Sequence, residues 1–368
     1  MSTLTSNFQH KLEQCLCPPG NGVFTVNTAK ERKEQLHQTI FGQTANIDDL
    51  WKAYLHELPK APKAVILGVA SDCGGGILRG ANWGPLFLRS SLLTQYPELT
   101  AFDLGDVRVI PHLLSDKYLN ESTLANCRKA LYHNENSEYC VSPLSITEDV
   151  LHDFYAEFPD KGIFGIGGDH SVSYPLTKAY LQAKKKQGKR AAIIHFDAHT
   201  DLLVERLGID LCFGSWCTHI LDDLHERHHL IQVGIRSSGK PKSHWEGTFG
   251  VRQHWADEIK AQGINQTIDN ILAQLANEKI DELYVSFDID AIDDSFASAT
   301  GTPEPGGLMP TETMQILKAL AARYPITGAD MMEIAPFTDS SGQGEIGRDK
   351  TLQVGAEISA FLLKEMSK

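Results

Sequence analysis

The chain has 368 residues, 42% of them hydrophobic, and a formal net charge of −13. That length and apolar content allow one large α/β domain or two smaller ones. The acidic balance argues against a nucleic-acid or anionic-membrane partner, since both select clustered Lys and Arg, and no stretch has the apolar length of a membrane span.

In chain order, residues 1–60 read as an N-terminal extension. Met1-Ser2-Thr3-Leu4 lacks the charged and apolar regions of a signal peptide. Seven scattered cysteines without zinc-ribbon spacing then point to free thiols in a cytoplasmic setting. Cys15 and Cys17 are the one close pair, in a tail before Pro18-Pro19-Gly20. A polar helix is expected over Thr28–His37. A second, over Ile47–Leu58, carries Leu50, Trp51, Tyr54 and Leu58 at helical spacing, so one face packs on the body. Pro59 and Pro62 mark the boundary to a catalytic domain spanning 61–368.

From Ala64 apolar β-like runs alternate with helical patterns. The runs are Ala64–Ala70, Gly162–Ile166, Ala191–Phe196, Leu230–Ile235, Leu283–Phe287 and Ile326–Ile334. The helical patterns are Pro85–Tyr96, Val172–Lys186, Gln266–Glu278, Thr311–Tyr324 and Thr351–Lys368. Short unalternating strands between amphipathic helices indicate a mainly parallel sheet covered on both faces, a three-layer α/β/α architecture. Ligands of such sheets bind beyond the carboxyl ends of the strands.

Three acidic clusters fall at those ends. Asp197-Ala198-His199-Thr200-Asp201 follows Ala191–Phe196. Alternate residues of an extended chain share a face, so its two acids and one histidine can point the same way. Gly168-Asp169-His170-Ser171 follows the preceding run, and Asp288-Ile289-Asp290 repeats the alternation downstream. One such cluster often only caps a helix. Three of them, with buried acids that need a cation among them, indicate a dinuclear metal site.

On these residues the chain resembles the ureohydrolase (arginase/agmatinase) family. The likeness runs from Ala64 to the C-terminus. It includes Arg79-Gly80-Ala81-Asn82-Trp83-Gly84-Pro85, Asp103-Leu104-Gly105-Asp106, the three acidic clusters, Thr300-Gly301-Thr302-Pro303, Gly306-Gly307 and Met332-Glu333-Ile334-Ala335-Pro336. The wording around His195-Phe196-Asp197 is closer to agmatinases than to animal arginases. The resemblance implies an arginase-like fold, a homotrimer or homohexamer, and two divalent ions per chain, Mn2+ or in some members Ni2+. One ion would be held by His170, Asp197, Asp201 and Asp288, the other by Asp197, His199, Asp288 and Asp290. Four carboxylates and two imidazoles without thiolate suit such ions.

The implied reaction is hydrolysis of a guanidino C–N bond to urea and an amine. Guanidinium is a poor electrophile, and a hydroxide bridging two metal ions meets that difficulty at neutral pH. The resemblance gives Asp201 the proton of that hydroxide, Glu333 the task of orienting the guanidinium, and Thr302 a place in the pocket lining. Asp169, His195 and Asp293 are expected to orient ligands by hydrogen bonding. Ser171 is a candidate helix cap.

The family's shuttle histidine is replaced here by Phe213. His219 is one candidate substitute, and Asp201 acting alone is another reading. Arg206 is a candidate clamp for a substrate carboxylate, and Glu205 or Asp210 a candidate partner for an amine. Phe213 and Trp216 are expected either to stack on a guanidinium or to fill the loop core. Asp222–His229, with His225, His228 and His229, reads as an exposed polar helix and not as a further metal site. Two other functions stay open at this point: a formimidoylglutamase releasing formamide, and a metal-binding protein without catalysis.

Overall fold

The computed structural model describes residues 4–23, 27–76 and 78–368; the first three residues of the N-terminal reading lie outside them. Among the described residues nine strands form one sheet. They are β1 (Leu16–Cys17), β2 (Ala64–Val69), β3 (Phe102–Val107), β4 (Gly162–Gly167), β5 (Ala191–Phe196), β6 (Leu230–Ile235), β7 (Arg252–Trp255), β8 (Glu282–Asp288) and β9 (Ile326–Met332). Their spatial order is β1-β3-β2-β4-β9-β8-β5-β6-β7. Every pairing is parallel except β1 with β3.

Period-two alternation splits each central strand between two cores. In β5, Ala192, Ile194 and Phe196 join one apolar cluster, and Ala191 and Ile193 join the other. In β8, Leu283, Val285 and Phe287 face the first side and Tyr284 the second. Helices Gly84–Gln95, Ile264–Asn277, Pro310–Ala321 and Glu345–Met366 cover the first face. Helices Ser6–Cys15, Ile47–Leu55, Pro143–Glu157 and Ser173–Lys186 cover the second. The three-layer expectation holds, and no described helix is long and apolar enough to cross a membrane.

The N-terminal segment is built into this body. β1 extends the sheet edge, with Leu16 opposite Val107. Trp51 is fully buried and donates Nε1–H to the Leu104 carbonyl at 3.0 Å. Cys15 and Cys17 pack in the interior, and burial pushes the Cys15 thiol up to about 12, so this pair fills space in its protonated form. The matching helix is shorter than expected, ending at Leu55.

Asp222–His229 is not a helix: only Arg227–His229 forms a 3-10 turn, and His229 is buried. The short strands β1 and β7, and β3 with its two aspartates and a glycine, also carry too little apolar sequence signal of their own to stand out.

Candidate active site

The four strands that end at the acidic clusters are neighbours: β4, β9, β8 and β5 in that order. Parallel pairing aligns their carboxyl ends, so residues far apart in sequence meet at one edge of the sheet. After β4 the chain turns sharply at Gly168, where a Cβ would sit 1.5 Å from the Ser71 carbonyl oxygen, so only glycine fits. Asp169 then caps the turn His170–Val172 by accepting from Ser171 N at 3.0 Å and anchors the Gly74 amide at 3.1 Å. The cap is thus Asp169, and the Ser171 hydroxyl has no partner.

This turn aims His170 Nδ1 at three carboxylates. Asp197 Oδ2 and Asp288 Oδ2 each lie 3.1 Å away and Asp201 Oδ2 lies 3.2 Å away. On the other side of Asp197, Oδ1 lies 3.4 Å from His199 Nδ1, which is 3.1 Å from Asp290 Oδ2. Asp197 therefore spans the two histidines. Asp288 uses Oδ1 to accept the Asp290 amide at 2.8 Å, which fixes the pair that closes the cluster. All six expected ligands come together. Five are nearly inaccessible, and His199, with 25% of its side chain exposed, is the side that solvent reaches.

The electrostatics show a cluster short of positive charge. Burial opposes the charged form of His170, but Asp197, Asp201 and Asp288 outweigh it and hold the imidazole well above its usual range. Burial also opposes ionisation of Asp197, yet His170, His195 and His199 hold it well below the carboxylate range. Asp288 is pushed well above that range by burial and then by Asp290 and Asp197. Glu333 is pushed up by burial and then by Asp288 and Asp169.

The donor set fits divalent cations. Donors sharing an ion at bonds of about 2.1 Å stand roughly 3 Å apart, as these do. His170 Nδ1, although faced by three oxygens, makes no hydrogen bond, which leaves its lone pair for a metal. The cluster could hold a metal ion. His195 lies within it but has no free nitrogen. Gln232 Nε2 donates to its Nδ1 at 2.9 Å, so Nε2–H donates to Asp197 Oδ2 at 2.8 Å. Gln232 is itself fixed by the Thr200 carbonyl at 2.6 Å and by Gln253 at 2.8 Å. Cys217, near His195, is kept protonated by burial and is no ligand.

The two acids read as catalytic have unusual backbones: Asp201 has φ +50° and Glu333 φ +62°. Non-glycine residues in the left-handed region carry local strain, often at functional sites. Glu333 Oε1 accepts the His170 amide at 2.9 Å, tying the end of β9 to the end of β4.

Several expectations need correcting. Trp216 is 0% exposed and cannot stack on a substrate; it lies beside His170 and His195, and its Nε1–H donates to Asp201 Oδ2 at 2.8 Å. Thr302 needs no such correction: it lies beside the cluster and donates its hydroxyl proton to Asp290 Oδ2 at 3.0 Å. Asp293 touches no ligand and holds the loop through the Gly306 and Gly307 amides. Asp210 is half-exposed and taken by Lys117 and Tyr118; slight burial opposes its ionisation, but these two contacts outweigh it and hold the carboxyl at about 2. His219 is bonded to the Asp210 carbonyl at 2.9 Å.

Phe213 and Arg206 stand together outside the cluster. The Arg206 guanidinium lies 5.0 Å over the Phe213 ring, and both line a cavity of about 440 Å³ with Gly74, Gly76 and His112. A second cavity of about 500 Å³ is walled by Gly22 and Val23 of the N-terminal segment together with Asp72 and Arg79. Neither is lined by a carboxylate or imidazole of the cluster. Donor chemistry, not cavity size, therefore locates the site. Gln232 and Glu304 escaped the sequence reading. Glu304 Oε1 lies 3.5 Å from the outer nitrogen of His199; the only sequence signals are a lone amide in an apolar strand and an acid in the Thr302–Gly306 loop.

The model of the Arginase family matches residues 62–363. The chain is 37% identical over 307 residues to proclavaminate amidinohydrolase of Streptomyces clavuligerus, covering 82% of this chain and 88% of that protein. It is 28% identical over 300 residues to the mitochondrial guanidino acid hydrolase of Homo sapiens, covering 77% and 74%. The crystal structure of formimidoylglutamase from Bacillus subtilis superimposes with a TM-score of 0.64 at 24% identity, over 83% of this chain and 88% of that one, which shows the shared fold.

Proposed function

We propose, from the premise that the chain belongs to the arginase family, how its residues cleave the C–N bond of a guanidino compound. The observation that carries the reading is Asp197, which faces His170 through one oxygen and His199 through the other. We assign His170, Asp197, Asp201 and Asp288 to one divalent ion and Asp197, His199, Asp288 and Asp290 to a second, Mn2+ or Ni2+. Such a pair supplies a water acidic enough to attack at neutral pH.

The remaining work falls to this chain's side chains. Trp216 donates to Asp201 Oδ2, the oxygen that faces His170, so Oδ1 is the oxygen assigned to take a proton from the attacking water and return it to the leaving nitrogen. Glu333 Oε1 is held by the His170 amide, and Oε2 is assigned to the guanidinium. Substrate enters from the His199 side, past Thr302. Phe213 cannot relay protons, which leaves Asp201 to do so alone. Arg206, resting on Phe213, is the candidate partner for a carboxylate on the substrate's far end. The catalytic unit is 61–368, in a cytoplasmic homotrimer or homohexamer.

The test is urea release with manganese or nickel loaded separately, against arginine, agmatine, 4-guanidinobutyrate, 3-guanidinopropionate and guanidine. Urea from at least one substrate, lost in Asp288→Ala, is expected. No urea from any substrate by protein holding two ions per chain would sink the reading.

A further inference from the structure

At the opposite end of the sheet from the catalytic cluster, the 3-10 turn Arg227–His229 leads into β6 beside the C-terminus of helix Ile264–Asn277. Here His228 Nε2 lies 3.0 Å and His229 Nε2 3.5 Å from the same oxygen, Glu278 Oε2. The His229 side chain is 1% exposed, and neither of its ring nitrogens makes a hydrogen bond; His228 Nε2 makes none either. A neutral imidazole buried with both nitrogens unsatisfied is costly and needs an explanation.

Among the described residues the surroundings offer no alternative partner. Gln274 donates to the His228 carbonyl and Arg190 to the Glu278 carbonyl, so both bind backbone and leave the three side chains to one another. Protonating His229 is not the answer, because burial and then the neighbouring His228 hold it below its usual range.

The geometry points to a second, independent metal site: His228 and His229, with Glu278, bind one zinc-like transition ion. Ligand atoms of the three residues lie within 4.8 Å of one another. Donors around a tetrahedral ion with bonds of about 2.0–2.1 Å stand roughly 3.3 Å apart, between the two separations seen. Two imidazoles and one carboxylate are the donor set of open zinc sites, with water filling the fourth position. His229 is buried and His228 and Glu278 half-exposed, so the ion would enter from solvent and lock the turn to the helix end. The ion would sit at the amino end of β6, away from the carboxyl end that faces Asp197.

The experiment compares the full-length wild type with His228→Ala and Glu278→Gln, each equilibrated with zinc, gel-filtered and assayed for zinc per chain. Wild type should retain one more zinc per chain than either variant. Zinc should raise the melting temperature of wild type more than that of the variants, with urea formation the same in all three. With cobalt, only wild type should show the intense visible absorption of a four-coordinate ion, which distinguishes this site from the oxygen-rich cluster. Both variants alter half-exposed side chains, so their folding is checked by circular dichroism. Equal zinc retention in folded wild type and variants overturns the assignment.

Discussion

Trp216 and Asp201 are joined by a 2.8 Å hydrogen bond from the indole Nε1–H to Oδ2, inside the protein and out of reach of solvent. Because this oxygen also lies 3.2 Å from His170 Nδ1, the indole fixes which carboxylate oxygen faces the cluster and which remains for proton transfer. Trp216→Phe keeps most of the buried ring and deletes only the donor. A hydrogen bond to a charged group contributes about 1.5–3 kcal/mol, so kcat should fall on the order of 10- to 100-fold. KM for the guanidino substrate should change little, since Trp216 does not reach substrate. Unchanged kcat with an intact fold would show that Asp201 does not depend on this contact.

The relay Gln253–Gln232–His195–Asp197 makes a second prediction. Gln232→Leu leaves His195 Nδ1 without its donor and frees the ring to change tautomer, so Asp197 loses the partner that orients it. Outer-shell changes of this kind typically cost 10- to 100-fold in metal affinity. Competition with a chromophoric chelator measures it directly. Affinity equal to wild type would mean that the backbone alone positions Asp197.

These two contacts also show what the sequence could and could not reveal. The six ligands were legible because each stands in a short motif directly after an apolar strand, and parallel pairing does the rest. Glu333 was legible for the same reason. Trp216 was not: an aromatic residue in a loop fits stacking or core equally, and the choice depends on where its N–H points. Gln232 hid in a continuous apolar strand, and Asp293 mimicked a ligand neighbour while holding a turn. The misread helix at Asp222–His229 had polar side chains at nearly every position, a pattern that signals exposure but says nothing of the buried His229 at its end.

The N-terminal segment should prove necessary to the fold. Trp51 is 0% exposed, and its indole satisfies the Leu104 carbonyl at the sheet edge. Trp51→Ala should cost about 3–5 kcal/mol, read from the denaturant midpoint. Removal of residues 1–60 would strip β1 from β3 and open one wall of the cavity at Gly22 and Val23. A truncated chain with wild-type stability and kinetics would relegate the segment to decoration.

His254 gives the chain an acid sensitivity distant from the metals. It is largely buried at the β7 edge, and burial, then Lys242, lowers its pKa from 6.5 to about 4 against the opposing pull of Glu258. The unfolded chain takes up a proton at this residue below about pH 6.5, whereas the folded chain refuses it until about pH 4. Stability should therefore fall as pH drops through that window and level off below it. The difference in pKa corresponds to roughly 3 kcal/mol. His254→Gln removes the titrating group, so the loss of stability between pH 6.5 and 4 should shrink by about that amount in urea titrations run at each pH. Parallel stability profiles for wild type and variant would assign the acid sensitivity elsewhere, to the carboxylates around His170.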